Sequence, residues 1–286
     1  MSKVLNDLLA LMNLETIEQG IYRGQSQDLG FVALFGGQVM GQSLSAAKET
    51  VEPTRGVHSF HCYFLRPGDA NHPVVYDVES IRDGKSFCTR RVKAVQHGKV
   101  IFHMTASFHG EEEGFDHQCP MPEVAGPEGL QSDLDVHRAY AEFIPPTLRE
   151  KFTSEKPILM RFATHYNPFE PEKTDAKRYV WIKANGALPD DPAVHKYLLA
   201  YASDFNFLPT ALQPHGESFV NPKLQMASID HAMWFHRPFR MDDWLLYAID
   251  SPSACNARAL VRGEVFNRKG ELVASTAQEG LLRKHL

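Results

Sequence analysis

Apolar residues recur at helical and strand spacings in two stretches of the chain, and both stretches follow the same order. In the first, a helical spacing over 39–50 is followed by strand-like runs at 57–65, 74–82, 86–96 and 100–108. In the second, a helical spacing over 193–207 is followed by strand-like runs at 224–235, 243–251, 257–267 and 272–282. The pattern predicts one buried helix and an antiparallel meander in each stretch.

The two stretches are copies of one another. Phe-Leu-Arg-Pro ending at Pro67 corresponds to Phe-His-Arg-Pro ending at Pro238, an offset of 171, and the turn glycines Gly98 and Gly270 give an offset of 172. A repeat of this length is too long for a solenoid and indicates tandem domains. We therefore predict a first copy over 1–112, a linker over 113–155 that is rich in Glu, Pro and Gly, and a second copy over 156–286.

Composition narrows the class of protein. The 286 residues are 43% hydrophobic and 23% charged, which is typical of a soluble globular protein. The net charge is −5 and the basic residues are scattered, so nucleic acid is not an expected partner. Four cysteines without Cys-x-x-Cys spacing fit a reducing compartment. The apolar residues among positions 1–14 predict a short amphipathic helix rather than a signal peptide, and no run is long enough for a membrane span. We expect a cytoplasmic protein.

Familiar catalytic and metal-binding motifs are missing from the sequence. Gly41 to Ser45 lacks the final glycine of a nucleophile elbow, and there is no dinucleotide-binding or phosphate-binding loop. His231 and His236 are five residues apart, and an odd separation places side chains on opposite faces of a sheet. The same alternation separates Ser228 from His231. The sequence predicts neither a locally built Ser-His-Asp triad nor a metal site, and no cofactor.

Comparison of the two copies singles out three polar residues. Ser228 corresponds to Val57 and Gln278 to Ala106, so two apolar strand positions of the first copy are polar in the second. Asp204 lies at the edge of the buried stripe of the second helix. A strand serine is often structural, and the glutamine and aspartate could simply face water. Three buried polar groups are better explained if they meet one another and a water molecule, because unpartnered ones cost roughly 1–3 kcal/mol each.

Longer motifs carry a resemblance to a known family. They are Phe-Gly-Gly-Gln-Val at 35–39, His-Ser-Phe-His-x-Tyr-Phe-Leu-Arg-Pro-Gly at 58–68, Arg-Asp-Gly-Lys-Ser-Phe at 82–87, Ala-Ser-Ile-Asp-His-x-Met-Trp-Phe-His-Arg-Pro at 227–238 and Gln-Glu-Gly at 278–280. Together they resemble the acyl-CoA thioesterase II (TesB-like) family over nearly the whole chain. The resemblance implies an α+β double hot-dog fold, in which each copy is an antiparallel sheet wrapped around a helix, and a homo-oligomer, either a dimer or a tetramer.

The resemblance also implies an activity. It is hydrolysis of acyl-CoA thioesters to free fatty acid and CoA, a step of lipid metabolism, by a water that Asp204, Ser228 and Gln278 activate. The resemblance implies a Ser or Thr at the middle position, and Ser228 supplies its hydroxyl. Two alternatives remain open. One is a hot-dog enoyl-CoA hydratase or dehydratase, which would need a histidine partner for the aspartate, yet position 208 is Leu. The other is a non-catalytic acyl-CoA-binding protein, although no basic DNA-binding segment accompanies it.

Overall fold

A computed structural model describes residues 2–165 and 167–285. The helices of this part of the chain are α1 Lys3–Met12, α2 Gly36–Lys48, α3 Asp133–Ala139, α4 Pro146–Thr153 and α5 Pro192–Ser203, with 3-10 segments at Ala141–Phe143 and Leu208–His215. The strands are β1 Glu15–Glu18, β2 Ile21–Gly24, β3 Gly56–Phe64, β4 Val74–Asp83, β5 Phe87–Gln96, β6 Lys99–His109, β7 Ile158–Phe162, β8 Lys177–Ala184, β9 Leu224–Ser228, β10 Asp230–Phe235, β11 Leu245–Cys255, β12 Arg258–Asn267 and β13 Leu272–Lys284.

The strands form one antiparallel sheet to which each copy contributes half. The order is β1-β2-β4-β5-β6-β3 from the first copy and β10-β13-β12-β11-β8-β7 from the second, with β9 paired to β13. The copies join where β3 pairs with β10, in a register that sets Cys62 opposite His231. Each copy has one half-sheet and one central helix, which is α2 in the first copy and α5 in the second. This is the double hot-dog fold, and the prediction of its class is confirmed.

The two central helices pack closely because glycines line their contact. A Cβ on Gly37 would lie 2.3 Å from the carbonyl oxygen of Tyr201, and one on Gly41 would lie 3.2 Å from that of Tyr197. Real Cβ atoms do not approach backbone that closely, so only glycine permits the observed separation at Gly37. The consequence is that the N-terminus of α2 lies beside the C-terminus of α5.

The N-terminal helix has the amphipathic character that its spacing predicts. Helix α1 buries Leu5, Leu8 and Met12, and the Ser2 hydroxyl caps it by accepting the backbone N–H of Leu5. Within the described residues, no helix is both long and apolar enough to cross a membrane.

Several element boundaries differ from the prediction. Two strands precede the central helix in each copy, and the segment predicted as a linker contains α3 and α4. The domain boundaries themselves stay a prediction. The strand predicted over 243–251 is longer in the structure: β11 continues to Cys255 with a shifted register, and the chain reverses at Asn256 and Ala257, both of which have positive φ. A β-bulge accommodates Pro252 within the strand.

Two further differences concern the site. Helix α5 ends at Ser203 rather than at 207, so Asp204 follows the helix as its C-cap residue. The run predicted as one strand over 224–235 is two strands, β9 and β10, separated at Ile229. The N–H of Ile229 donates to the carbonyl of Glu279 in β13, and its own carbonyl accepts from Phe64 of the first copy. On one side of Ile229, β9 pairs with β13. On the other side, β10 also pairs with β3 of the first copy.

Candidate active site

Asp204 lies at the open N-terminus of a helix from the other copy. Phe35, which precedes α2, offers no side-chain hydrogen bond as a cap. The backbone N–H of Gly37 instead donates to Oδ2 of Asp204 at 3.0 Å. The first N–H groups of a helix lack partners within it and favour a negative charge. A Cβ on Gly36 would lie 2.8 Å from the same oxygen, so Gly36 leaves room for the carboxylate.

Ser228 and Gln278 complete a polar cluster with Asp204. Ser228 is the last residue of β9, and its Oγ lies 3.5 Å from Oδ1 of Asp204. Gln278 is in β13, and its Nε2 donates to Ser228 Oγ at 2.9 Å. The side chain of Gln278 is 1% exposed. The structure therefore brings together all three residues that the sequence comparison singled out, in a cluster built from both copies.

His231 lies on the same side as Ser228, and the prediction that alternation would separate them is wrong. Its Nδ1 is 2.7 Å from Oε1 of Gln278, the side chain that also contacts Ser228. The break at Ile229 shifts the alternation of faces between β9 and β10. His231 reaches Ser228 only through the amide of Gln278, so the cluster still differs from a Ser-His-Asp triad.

The environment changes the proton affinity of two of these groups. Burial raises the pKa of Asp204 to about 6, although hydrogen bonds from Gly37, Ser228 and Gln278 oppose the rise. Burial lowers the pKa of His231 to about 4, partly offset by its hydrogen bond with Gln278. Near neutral pH the cluster consequently holds an ionised carboxylate and a neutral imidazole. A carboxylate with a pKa this close to neutrality can accept a proton from water.

Known proteins share both copies of the chain and its fold. Residues 25–109 match the family "Acyl-CoA thioesterase N-terminal domain", and residues 147–281 match "Acyl-CoA thioesterase". Acyl-CoA thioesterase 2 of Haemophilus influenzae is 46% identical over 283 residues, 99% of each chain. The chain belongs to the acyl-CoA thioesterase II family. Human acyl-coenzyme A thioesterase 8 is 39% identical over 96% of this chain and 88% of its own length.

A solved structure agrees with this membership. The crystal structure of the acyl-CoA thioesterase II TesB2 from Mycobacterium marinum matches with a TM-score of 0.77 and 42% identity, covering 97% of this chain and 98% of the other. The family is one of thioester hydrolases, so this protein is classed as an enzyme.

One group of side chains in this thioesterase is close enough to share a metal ion, among the residues that the structure describes. Asp69, His72 and His97 have donor atoms within 4.8 Å of one another. His72 Nδ1 and Asp69 Oδ2 already contact each other at 2.8 Å, as an exposed hydrogen-bonded pair does. The group lies in the β3–β4 loop and the β5–β6 turn and shares no residue with the Asp204 cluster.

Sequence reasoning missed two residues of the cluster, Gly37 and His231. Gly37 contributes a backbone N–H, which leaves no signature in a side-chain comparison. His231 did have a signal: at the proline offset of 171 it corresponds to Phe60, so it is a third strand position that is apolar in the first copy and polar in the second.

Proposed function

We propose that this thioesterase hydrolyses acyl-CoA thioesters to free fatty acid and CoA by direct attack of a water that Asp204 activates. The observation that supports the proposal is the convergence of a carboxylate, a hydroxyl and an amide at the N-terminus of α2. A carboxylate with a pKa raised to about 6 is suited to general-base work near neutral pH.

The chemistry needs one proton acceptor and one oriented nucleophile. Asp204 takes a proton from the water as its oxygen attacks the thioester carbonyl, which gives a tetrahedral oxyanion. Collapse of that intermediate breaks the C–S bond and expels the CoA thiolate, and the proton held by Asp204 neutralises it. Ser228 and Gln278 hold the water and the carboxylate in line through hydrogen bonds. General-base help of this kind typically contributes about 10²–10⁴-fold in rate.

Aromatic rings beside the cluster suit an acyl chain. Phe35 directly precedes α2 and Phe205 directly follows Asp204, and their rings stack with centroids 4.2 Å apart. The exposed Phe31 packs on Phe35 at 5.7 Å. We assign these three rings to binding of the acyl chain. They are apolar, and they lie next to Asp204 because Phe205 follows it in the chain and Phe35 precedes the helix terminus that binds its carboxylate.

Asp204→Asn tests the proposal directly. The amide is isosteric and its oxygen can still accept the Gly37 N–H, but it cannot take a proton from water. Release of free thiol from decanoyl-CoA should fall by about 10²–10⁴-fold. The matched control is Asp230→Asn, since Asp230 is a nearby half-buried carboxylate whose Oδ1 accepts the N–H of Glu279. The control should stay within a few fold of wild type, and near wild-type turnover by Asp204→Asn would refute the assignment.

The two alternatives give different products. A hydratase acting on crotonyl-CoA would remove the enoyl absorbance without releasing a thiol, whereas a thioesterase releases the thiol. In the described part of the chain, no histidine hydrogen-bonds to Asp204, so the pairing expected of a hydratase is not supported. A non-catalytic binding protein would bind acyl-CoA and release thiol from none of a series of chain lengths.

We extend the proposal to a cytoplasmic role in fatty acid metabolism, carried out by a homo-oligomer. Its support is that Cys62, Cys88, Cys119 and Cys255 are all free thiols, which suits a reducing compartment. The oligomer rests on family resemblance, and light scattering on the purified protein measures it.

A further inference from the structure

A buried histidine extends the active-site cluster inward. His231 is 1% exposed in β10, with Nδ1 2.7 Å from Gln278 Oε1 and Nε2 3.2 Å from the Oγ of Ser203. Ser203, His231, Gln278, Ser228 and Asp204 therefore form one continuous chain of side-chain contacts. No hydrogen bond joins His231 to the carboxylate, and the side-chain contacts between them run through Gln278 and Ser228.

The charge at the outer end determines the direction of every hydrogen bond in this chain. An ionised Asp204 can only accept, so the hydroxyl of Ser228 donates to it. Ser228 Oγ then accepts from the Nε2–H of Gln278, which leaves Oε1 of Gln278 as an acceptor. The donor to Oε1 must be Nδ1–H of His231. A neutral imidazole protonated at Nδ1 can accept at Nε2, where the hydroxyl of Ser203 lies 3.2 Å away as the available donor.

We infer that His231 is a positioning residue: in its neutral Nδ1–H form it holds the Gln278 amide with Nε2–H directed toward Ser228. The inference rests on the proposed function, because the ionised Asp204 sets the direction. Ser203 Oγ also lies 2.9 Å from the carbonyl of Ala200. If the Ser203 hydrogen pointed to that carbonyl, the imidazole would carry its proton on Nε2. The amide would then turn its oxygen to Ser228, and the Ser228 oxygen would face the carboxylate without a hydrogen between them.

The first copy shows that the fold alone does not need this polar pair. There the corresponding residues are Phe60 and Ala106, which pair directly between β3 and β6. In the second copy, Ala232 pairs with Ala277, so His231 and Gln278 are the next positions along β10 and β13. Burying an imidazole and an amide costs free energy unless both are hydrogen-bonded. An apolar pair would serve packing equally well, so the polar pair is tied to what Gln278 does.

Three substitutions of His231 separate positioning from packing. His231→Phe installs the residue of the first copy and removes the donor to Gln278. His231→Asn keeps an N–H near the position of Nδ1, and His231→Gln keeps a polar group only near the position of Nε2. We expect kcat for decanoyl-CoA to fall by about 10–100-fold in the Phe and Gln variants with little change in KM, since misplaced groups cost rate at this scale. The Asn variant should recover most of the loss.

The protonated nitrogen is a readout that packing would not set. In protein labelled with ¹⁵N at histidine, the signals that disappear in His231→Asn identify His231 in the wild-type spectrum. At pH 8 we expect a protonated Nδ1 and an unprotonated Nε2. An Nε2–H form in the wild type, or Asn and Gln variants with equal activity, would overturn the inference. These two measurements decide the matter even if His231→Phe does not fold.

Failure of this inference differs from failure of the proposed function. If Asp204→Asn loses hydrolysis while His231→Phe turns over like wild type, His231 positions nothing and the general-base assignment stands. If Asp204→Asn keeps hydrolysis, the general base is wrong, and with it the ground for the direction of the hydrogen bonds.

Discussion

The two central helices begin in different ways, although they occupy corresponding places in the two copies. Helix α5 is capped by its own residue: Asp191 accepts the N–H of Ala193 at 2.9 Å. Helix α2 follows Phe35, which caps nothing, and the acceptor for Gly37 is Asp204 from the second copy. A helix N-terminus without a cap of its own has unpaired backbone N–H groups, and these can bind a carboxylate from another part of the chain. The first copy thus supplies the dipole and the second supplies the charge.

The strands show the same division of roles. Val57, Phe60 and Ala106 of the first copy are apolar and buried, while Ser228, His231 and Gln278 of the second are joined by hydrogen bonds. Neither copy holds a complete site. In the proposed site, the second copy carries the side chains of the cluster and the first copy contributes the backbone N–H of Gly37.

The largest expected effect comes from giving the second copy the strand residues of the first. The triple variant Ser228→Val, His231→Phe and Gln278→Ala removes every strand partner of Asp204 and leaves the carboxylate the N–H of Gly37. Thiol release from decanoyl-CoA should fall by at least about 10²-fold. The unfolding temperature should fall, because the buried Asp204 loses the hydrogen bonds of Ser228 and Gln278 although the strand positions become apolar as in the first copy.

The matched control places a polar group in the first copy. Val57→Ser puts a hydroxyl at a position that is 3% exposed, and it should lower stability by roughly 1–3 kcal/mol while turnover stays near wild type. Comparable turnover in the triple variant and wild type would show that hydrolysis does not need the polar strand residues of the second copy.

The repeat made much of this site accessible from sequence. The offset between copies set Ser228 against Val57 and Gln278 against Ala106, because both half-sheets keep the same strand order and nearly the same length. Alternation then failed at one residue, Ile229, where the backbone bonds to β13 on one side and to the first copy on the other. Local periodicity assumes an unbroken strand, so it could not show that His231 and Ser228 reach the same amide.

The position of Asp204 could be predicted only in part. Its sequence context indicated the edge of a buried stripe, but the helix ends at Ser203 and the carboxylate caps a helix 167 residues away in the chain. That contact depends on the close packing of α2 and α5 at Gly37 and Tyr201, which is a property of the assembled fold. Glycines in a helix are compatible with many packings, so their sequence does not identify the partner.

A smaller effect than that of the triple variant is expected when the pH of the hydrolysis assay is changed. Because the pKa of Asp204 is raised to about 6, the proposed general base loses its charge below that pH, and kcat/KM should fall tenfold per pH unit there. The profile is measured with decanoyl-CoA and with S-decanoyl-N-acetylcysteamine, which lacks the ionising phosphates of CoA. The decline near pH 6 should appear with both substrates. Activity that holds down to pH 5 with the phosphate-free substrate would contradict the assignment of Asp204.

The smallest effect concerns the cost of keeping Asp204 charged. Its pKa is about 6 in the folded protein against an ordinary 3.8, so between these values the folded state holds a proton that the unfolded state releases. Wild-type stability therefore falls as pH rises through this window, by at most about 3 kcal/mol at 1.36 kcal/mol per unit. Asp204→Asn carries no charge and escapes that loss. In urea unfolding, the free energy of unfolding of Asp204→Asn relative to wild type should grow from about pH 4 to pH 6 and then stay constant.

The control Asp135→Asn should lose stability relative to wild type as pH rises, because hydrogen bonds from Ser132 lower the pKa of Asp135 and make its charge stabilising above the ordinary pKa. If Asp204→Asn is less stable than wild type at pH 8, the carboxylate stabilises the α2 N-terminus more than its burial costs, and its primary role is to cap the helix.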